Sequence, residues 1–163
     1  MTETAPGPDT LGPDTLGPDT PLGVSIDEEQ DEVIAEFAFF DDWMDRYQYL
    51  IDLGRKLPAF PSEYRRDEFK LKGCQSQVWF AGEKRGDRLV FHAISDAAIV
   101  SGLVAVLLRI YSNRTPDEIV ATEPNFITEI GLDAHLSPTR RNGLGAMLQA
   151  IRARARAELD AAA

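Results

Sequence analysis

The chain has 163 residues, 44% of them apolar and 27% charged, an ordinary globular composition long enough for one domain with a sizeable core. Its 27 acidic and 17 basic side chains give a net charge of −10, which disfavours nucleic acid or an anionic membrane as partner. A single cysteine excludes an internal disulfide, and no cationic start leads into an apolar run; the expectation is a soluble cytoplasmic protein.

The sequence opens on a repeat. Gly-Pro-Asp-Thr occurs at residues 7–10, 12–15 and 17–20, with Leu11 and Leu16 completing a five-residue unit. That period is too short for a solenoid, and so few large apolar residues cannot offset the entropy of ordering. Residues 1–24 are therefore expected to form a disordered tail ahead of one domain at 25–163.

Ser25 or Asp27 is placed to cap a first helix, with Glu28, Glu29 and Asp31 at its positive end and Val33, Ile34, Phe37 and Phe40 as its apolar stripe. A second helix follows Asp41 or Asp42, with Trp43, Tyr47, Leu50 and Ile51 at helical spacing and Gly54 near its end. Pro58 and Pro61 predict an extended connection.

The period then changes to two. Phe69 and Leu71 alternate with Lys70 and Lys72, and residues 77–81 and 88–94 read as two further strands joined by a turn around Gly82 to Gly86. A small three-stranded antiparallel meander is the economical arrangement. Ser95 is a capping candidate for a helix over residues 97–111, apolar almost all round and so central. Its most apolar stretch, residues 97–108, is too short to span a bilayer. Thr115-Pro116-Asp117-Glu118 is a helix start with a capping threonine and proline in the first turn. Short helices are predicted to about Thr122 and over 125–130, and Ser137-Pro138 opens a last helix with Leu144, Met147, Leu148 and Ile151 on one face. The class is α+β: a small sheet packed against helices.

Cys74 sits in Lys72-Gly73-Cys74-Gln75-Ser76-Gln77, at a junction between two predicted strands. Gly73 suits a tight turn, Lys72 can stabilise a thiolate, and Gln75, Ser76 and Gln77 offer groups that bond a partner backbone or fix the loop. Composition alone leaves a second reading open, a lone cysteine as a small buried hydrophobe. Other chemistries lack parts. Cys74, His92 and His135 are too few for a zinc or iron–sulfur site, and none of their spacings resembles a ligand pair. His92 and His135 are the only histidine bases for a cysteine hydrolase, and each reads more simply as structural. Trp79 reads as a core aromatic.

Gly73-Cys74-Gln75-Ser76-Gln77-Val78-Trp79 resembles the signature of the SufE family of sulfur-acceptor proteins. Two collinear blocks agree with it: residues 95–100 with Gly102 and Leu103, and residues 135–140 with Gly143 and Leu144. The resemblance runs from about Phe40 to Ala157. It implies a fold related to iron–sulfur scaffolds of the IscU type. It also implies that Cys74 accepts persulfide sulfur from a SufS-type pyridoxal-phosphate cysteine desulfurase, stimulates that enzyme, and passes sulfur to an iron–sulfur scaffold complex of the SufBCD type. No cofactor or metal on this chain is implied. Lys72, Gly73, Gln75, Ser76, Gln77, Asp96 and Arg140 match positions of the loop, its surroundings or the partner contact. Family members tuck the loop cysteine toward an apolar cavity. Two alternatives stay open: a noncatalytic binding partner of a desulfurase, and CsdE-like delivery of sulfur to another pathway.

Overall fold

The computed structural model describes residues 25–72 and 76–162. The expected tail, and the loop residues Gly73, Cys74 and Gln75, lie outside the described residues.

Two helices open the domain, α1 (Ile26–Ala38) and α2 (Trp43–Arg55). Ser25 caps the first, its Oγ accepting from the Glu28 N–H at 3.1 Å, and Asp42 caps the second by accepting from the Met44 N–H at 3.0 Å. The prolines then lead through two 3-10 turns, Ser62–Tyr64 and Asp67–Phe69, into a hairpin of β1 (Val78–Arg85) and β2 (Arg88–Ser95). Five helices complete the chain: α3 (Ala98–Tyr111), α4 (Pro116–Ala121), α5 (Asn125–Ile130), α6 (Leu132–His135) and α7 (Pro138–Ala162). None of the described helices is long and apolar enough to cross a membrane.

The α+β class holds, but the sheet has two strands, not the expected three. Phe69 closes a 3-10 turn in which the Lys70 N–H bonds back to the Asp67 carbonyl, so the alternating run is spent before a ladder can form. What survives is a single bridge, Lys70 to Trp79, and one Leu71 N–H to Val78 carbonyl bond at 2.9 Å. The hairpin turn also moves. Gly82 lies inside β1 opposite Phe91, and the two-residue turn is Gly86-Asp87 between the paired Arg85 and Arg88. Gly86 has φ +62°, the left-handed conformation that tight hairpin turns require.

The two sheet faces are covered differently. Val78, Leu89, Phe91 and Ala93 join the main core with Leu103, Val104, Leu107 and Ile110 of α3 and Leu144, Met147 and Ile151 of α7. On the other face, His92 is buried under Tyr64, with ring centroids 5.6 Å apart and its Nε2 3.1 Å from Glu83 Oε2. The proline-led segment thus covers the second face at His92, which explains why that ring is buried although it points away from the core helices.

Helices α2 and α3 cross at contact distance. A methyl built on Gly102 would stand 2.2 Å from the Leu50 carbonyl oxygen, and one on Gly54 2.8 Å from the Gly102 nitrogen. Gly54 therefore serves this crossing. Arg109 of α3 ties α1 to the bundle: its Nε donates to Glu29 Oε1 at 2.5 Å and its Nη1 to Glu36 Oε1 at 2.8 Å.

The start of α4 forms a complete capping box. Thr115 Oγ1 accepts from the Glu118 N–H at 3.3 Å, and Glu118 Oε1 accepts from the Thr115 N–H at 3.2 Å. Thr115→Ala is expected to cost about 1 kcal/mol, measured by denaturant unfolding, because an orphan N–H loses its acceptor. An unchanged midpoint would show that the box contributes nothing here.

Candidate functional site: the Cys74 loop and its frame

The ends of the cysteine loop are held from both sides. On the entry side, Lys70 bridges Trp79 and the Leu71 N–H reaches the Val78 carbonyl, so the chain leaves for the loop and returns at nearly the same place. On the exit side, the Gln77 N–H donates to Asp96 Oδ1 at 3.0 Å, and the Asp96 N–H donates to the Gln77 carbonyl at 3.2 Å. Val78 then pairs with Ser95 as the first rung of the ladder. Residues 73–75 thus join two fixed ends, at the open end of the hairpin.

Asp96 connects that base to the start of α3. The N-cap of α3 is Ala97, with no side-chain cap bond; Ser95, the expected cap, instead accepts from the Ala97 N–H through its Oγ at 3.2 Å. The first turn of α3 contains no acidic residue. The acid at its positive end is Asp96, immediately before the N-cap, whose carboxylate also holds the exit of the loop.

Lys72 and Gln77 are exposed and Ser76 is half-buried at the loop's rim. Asp96 is exposed and joined to Gln77 as above. Arg140 stands elsewhere in the chain's course, exposed in the first turn of α7, its N–H donating to Ser137 Oγ at 3.3 Å. The structure brings Gln77 and Asp96 together, and gives Arg140 a place in a helix start. Trp79 is buried, as expected of a core aromatic, at 7% exposure. Its ring is nevertheless capped by cations, the Arg65 guanidinium 4.8 Å and the Lys70 ammonium 5.3 Å from the centroid. These two were not singled out from the sequence. Lys70 was visible only as a strand residue, and Arg65 sits 14 positions from the ring it covers. With Arg66 and Lys72 they make four basic side chains among residues 65–72, against the acids Asp67 and Glu68.

The histidines are engaged structurally. His92 is buried against Tyr64 and Glu83, while His135 stacks on Trp43 at 4.1 Å with its Nδ1 3.0 Å from the Gly131 carbonyl oxygen. Glu83 is held below the usual carboxylate range, chiefly by its hydrogen bond with Arg85 and then by that with His92.

Asp96→Ala is expected to cost about 1 kcal/mol locally and to accelerate hydrogen exchange of the Gln77 amide, since that N–H loses its acceptor. Unchanged Gln77 protection would mean that the Asp96 bond does not hold the loop's base.

A hairpin pinned on either side of residues 73–75, beside a helix start, marks a small α+β domain with its lone cysteine at that junction. The chain belongs to the SufE family: the family model described as "Fe-S metabolism associated domain" matches residues 31–155. Among curated relatives, an uncharacterized SufE-like protein of Rhizobium meliloti (strain 1021) is 43% identical over 136 residues, covering 80% of this chain and 97% of that one. Another from Rhizobium etli is 44% identical over 131 residues, covering 77% and 88%. The fold is also similar to the solution structure of a hypothetical protein from Thermus thermophilus, with TM-score 0.68 and 20% identity over 81% of this chain and 96% of that one. Membership places the chain in iron–sulfur metabolism, as a sulfur-transfer partner of a cysteine desulfurase.

Proposed function

We propose that Cys74 is the covalent sulfur carrier. The observation that carries this reading is its position: the only thiol of a SufE-family chain, on a loop whose two ends are pinned by the Leu71–Val78 and Gln77–Asp96 bonds. A fixed base keeps the entropy of presenting the loop small, while the glycine before the cysteine eases its movement.

In the transfer step the Cys74 thiolate attacks the outer sulfur of a persulfide on the desulfurase cysteine. A sulfur–sulfur bond forms at Cys74 as the donor's sulfur–sulfur bond breaks, and the donor's thiolate leaves with the electron pair. No net oxidation occurs, so neither oxidant nor reductant is consumed. The resulting persulfide is anionic, and the exposed Lys72, two positions before it, favours that charge. Removal of the persulfide relieves the desulfurase and stimulates its turnover. The sulfur then passes to a scaffold complex of the SufBCD type, in the cytoplasm.

The experiment is mass spectrometry of the full chain after incubation with a SufS-type desulfurase and cysteine, without reducing agent. One added sulfur atom on the peptide containing Cys74, removed by reductant, is the expected result. A peptide of unchanged mass from a desulfurase that is turning over overturns the reading.

A further inference from the structure

We propose that the groove between α4 and α7 is the docking site of this chain's own N-terminal repeat segment, residues 7–22. The groove has a volume of about 510 Å³ and is lined by Val120, Leu148 and Ala153, with Glu123, Arg152 and Arg156 around them. Its cations are incompletely used. Arg152 donates from Nη2 to the Thr122 carbonyl at 2.7 Å and stands 4.0 Å from Glu123 Oε2, yet its Nε is buried with no hydrogen-bond partner among the described residues. Arg156 is exposed. Two guanidinium groups against one carboxylate make a local positive excess in a chain whose net charge is −10.

The position where the segment joins the domain points to it as the occupant. Chain residue 25 leads into α1, and α1 is fastened to the groove's wall: Gln30 Nε2 donates to the Glu123 carbonyl at 3.2 Å, and Gln30 Oε1 accepts from the Phe126 N–H at 2.8 Å. The Tyr111 hydroxyl, buried without a partner among the described residues, is within electrostatic reach of Arg152, Glu123 and Asp27. Ser25 therefore opens a helix that is bonded, one turn on, to the groove's wall.

The chemistry of the segment complements the lining. Residues 1–24 carry Glu3, Asp9, Asp14 and Asp19 and no lysine or arginine. The repeat sets Leu11 and Leu16 among these acids at the same five-residue interval, so one docked unit brings both an apolar side chain and a carboxylate. Proline fixes φ and so lowers the entropy lost when such a segment settles. Reach is sufficient: the stretch of α7 from Gly145 to Arg156 is about 17 Å long, and nine extended residues, from Leu16 to Ser25, span up to about 30 Å. Tethering also supplies an effective concentration on the order of millimolar, at which weak contacts are substantially populated.

The test is amide NMR of the full chain with Asp9, Asp14 and Asp19 all replaced by asparagine. These substitutions remove none of the core side chains, so folding is not at stake. The amides of Gly145, Leu148, Gln149 and Ala153 are expected to shift relative to the unaltered chain. The same amides should shift in the unaltered chain when salt screens the pairing, between about 0.05 and 0.5 M. Arg156→Glu should reciprocally shift the amides of the repeats. Groove amides that stay in place in the triple variant overturn the proposal. Shifts that scale with protein concentration overturn it in favour of a second copy's segment. Persulfide formation on Cys74 is read separately, and neither result depends on it.

Discussion

Gly102→Ala is expected to destabilise the domain by about 3 kcal/mol, the upper end of what one added methyl does in a packed core. The methyl would meet the Leu50 carbonyl oxygen at 2.2 Å, its carbon at 2.5 Å and the Leu50 Cβ at 2.8 Å. Two of these atoms belong to helix backbone, which cannot rotate away as a long side chain can. The helices must therefore separate, and α3 carries much of the core on its other faces. Against a typical total stability of about 5–15 kcal/mol, the loss is large enough to read directly in a denaturant midpoint. Gly54→Ala should cost less, since its closest contacts are at 2.8 Å. Gly145→Ala is the control, with nothing within 4 Å of the added methyl and a mid-helix position where alanine gains about 0.5–1 kcal/mol over glycine. Equal midpoints for Gly102→Ala and Gly145→Ala would falsify the tight crossing.

The same glycines show which parts of the fold can be read along the chain. Helix starts are local: Thr115, Pro116 and Glu118 lie within four positions, and the capping threonine is where the sequence predicts it, with Glu118 completing a box the structure adds. The central helix is equally legible, because its apolar residues surround it and only burial suits them. Gly54 reads as a helix-end residue and Gly82 as a turn residue, because from sequence glycine announces freedom and not what approaches it. In the fold, Gly54 admits α3, and the Arg154 side chain packs on Gly82, where an added methyl would lie 2.7 Å from its Cγ. The missing third strand has a related origin. Alternation of Phe69 and Leu71 with lysines is satisfied as well by a 3-10 turn and one bridge as by a strand, and the choice belongs to the contacts of Tyr64 with Phe69 and His92.

The site divides in the same way. Spacing and composition identify Cys74 as a lone thiol in a polar junction, and by themselves they favour a small buried hydrophobe. The motif around it carries the assignment. Geometry then adds what neither supplies: Asp96, 19 positions from Gln77, closes the loop's base and brings the start of α3 beside it. Arg65 and Lys70 over Trp79 are likewise long-range pairings with no local signature.

Cys74→Ser is expected to abolish both the added sulfur and the stimulation of the desulfurase, leaving its turnover at the level measured without this chain. Serine is nearly the same size, so the loop and its two pinning bonds persist, and the domain's unfolding midpoint should stay within about 0.5 kcal/mol of the original. What is lost is the nucleophile. An ordinary cysteine is ionised to a few per cent near neutral pH, and its thiolate attacks sulfur readily; a serine hydroxyl supplies no comparable anion and forms no persulfide. This substitution separates covalent transfer from binding alone, because a binder acts through surface that serine leaves intact. Stimulation retained by Cys74→Ser would show that docking suffices and that the thiol carries nothing. Stimulation lost while binding to the desulfurase persists, measured by titration of the same variant, assigns the effect to the sulfur that Cys74 takes away.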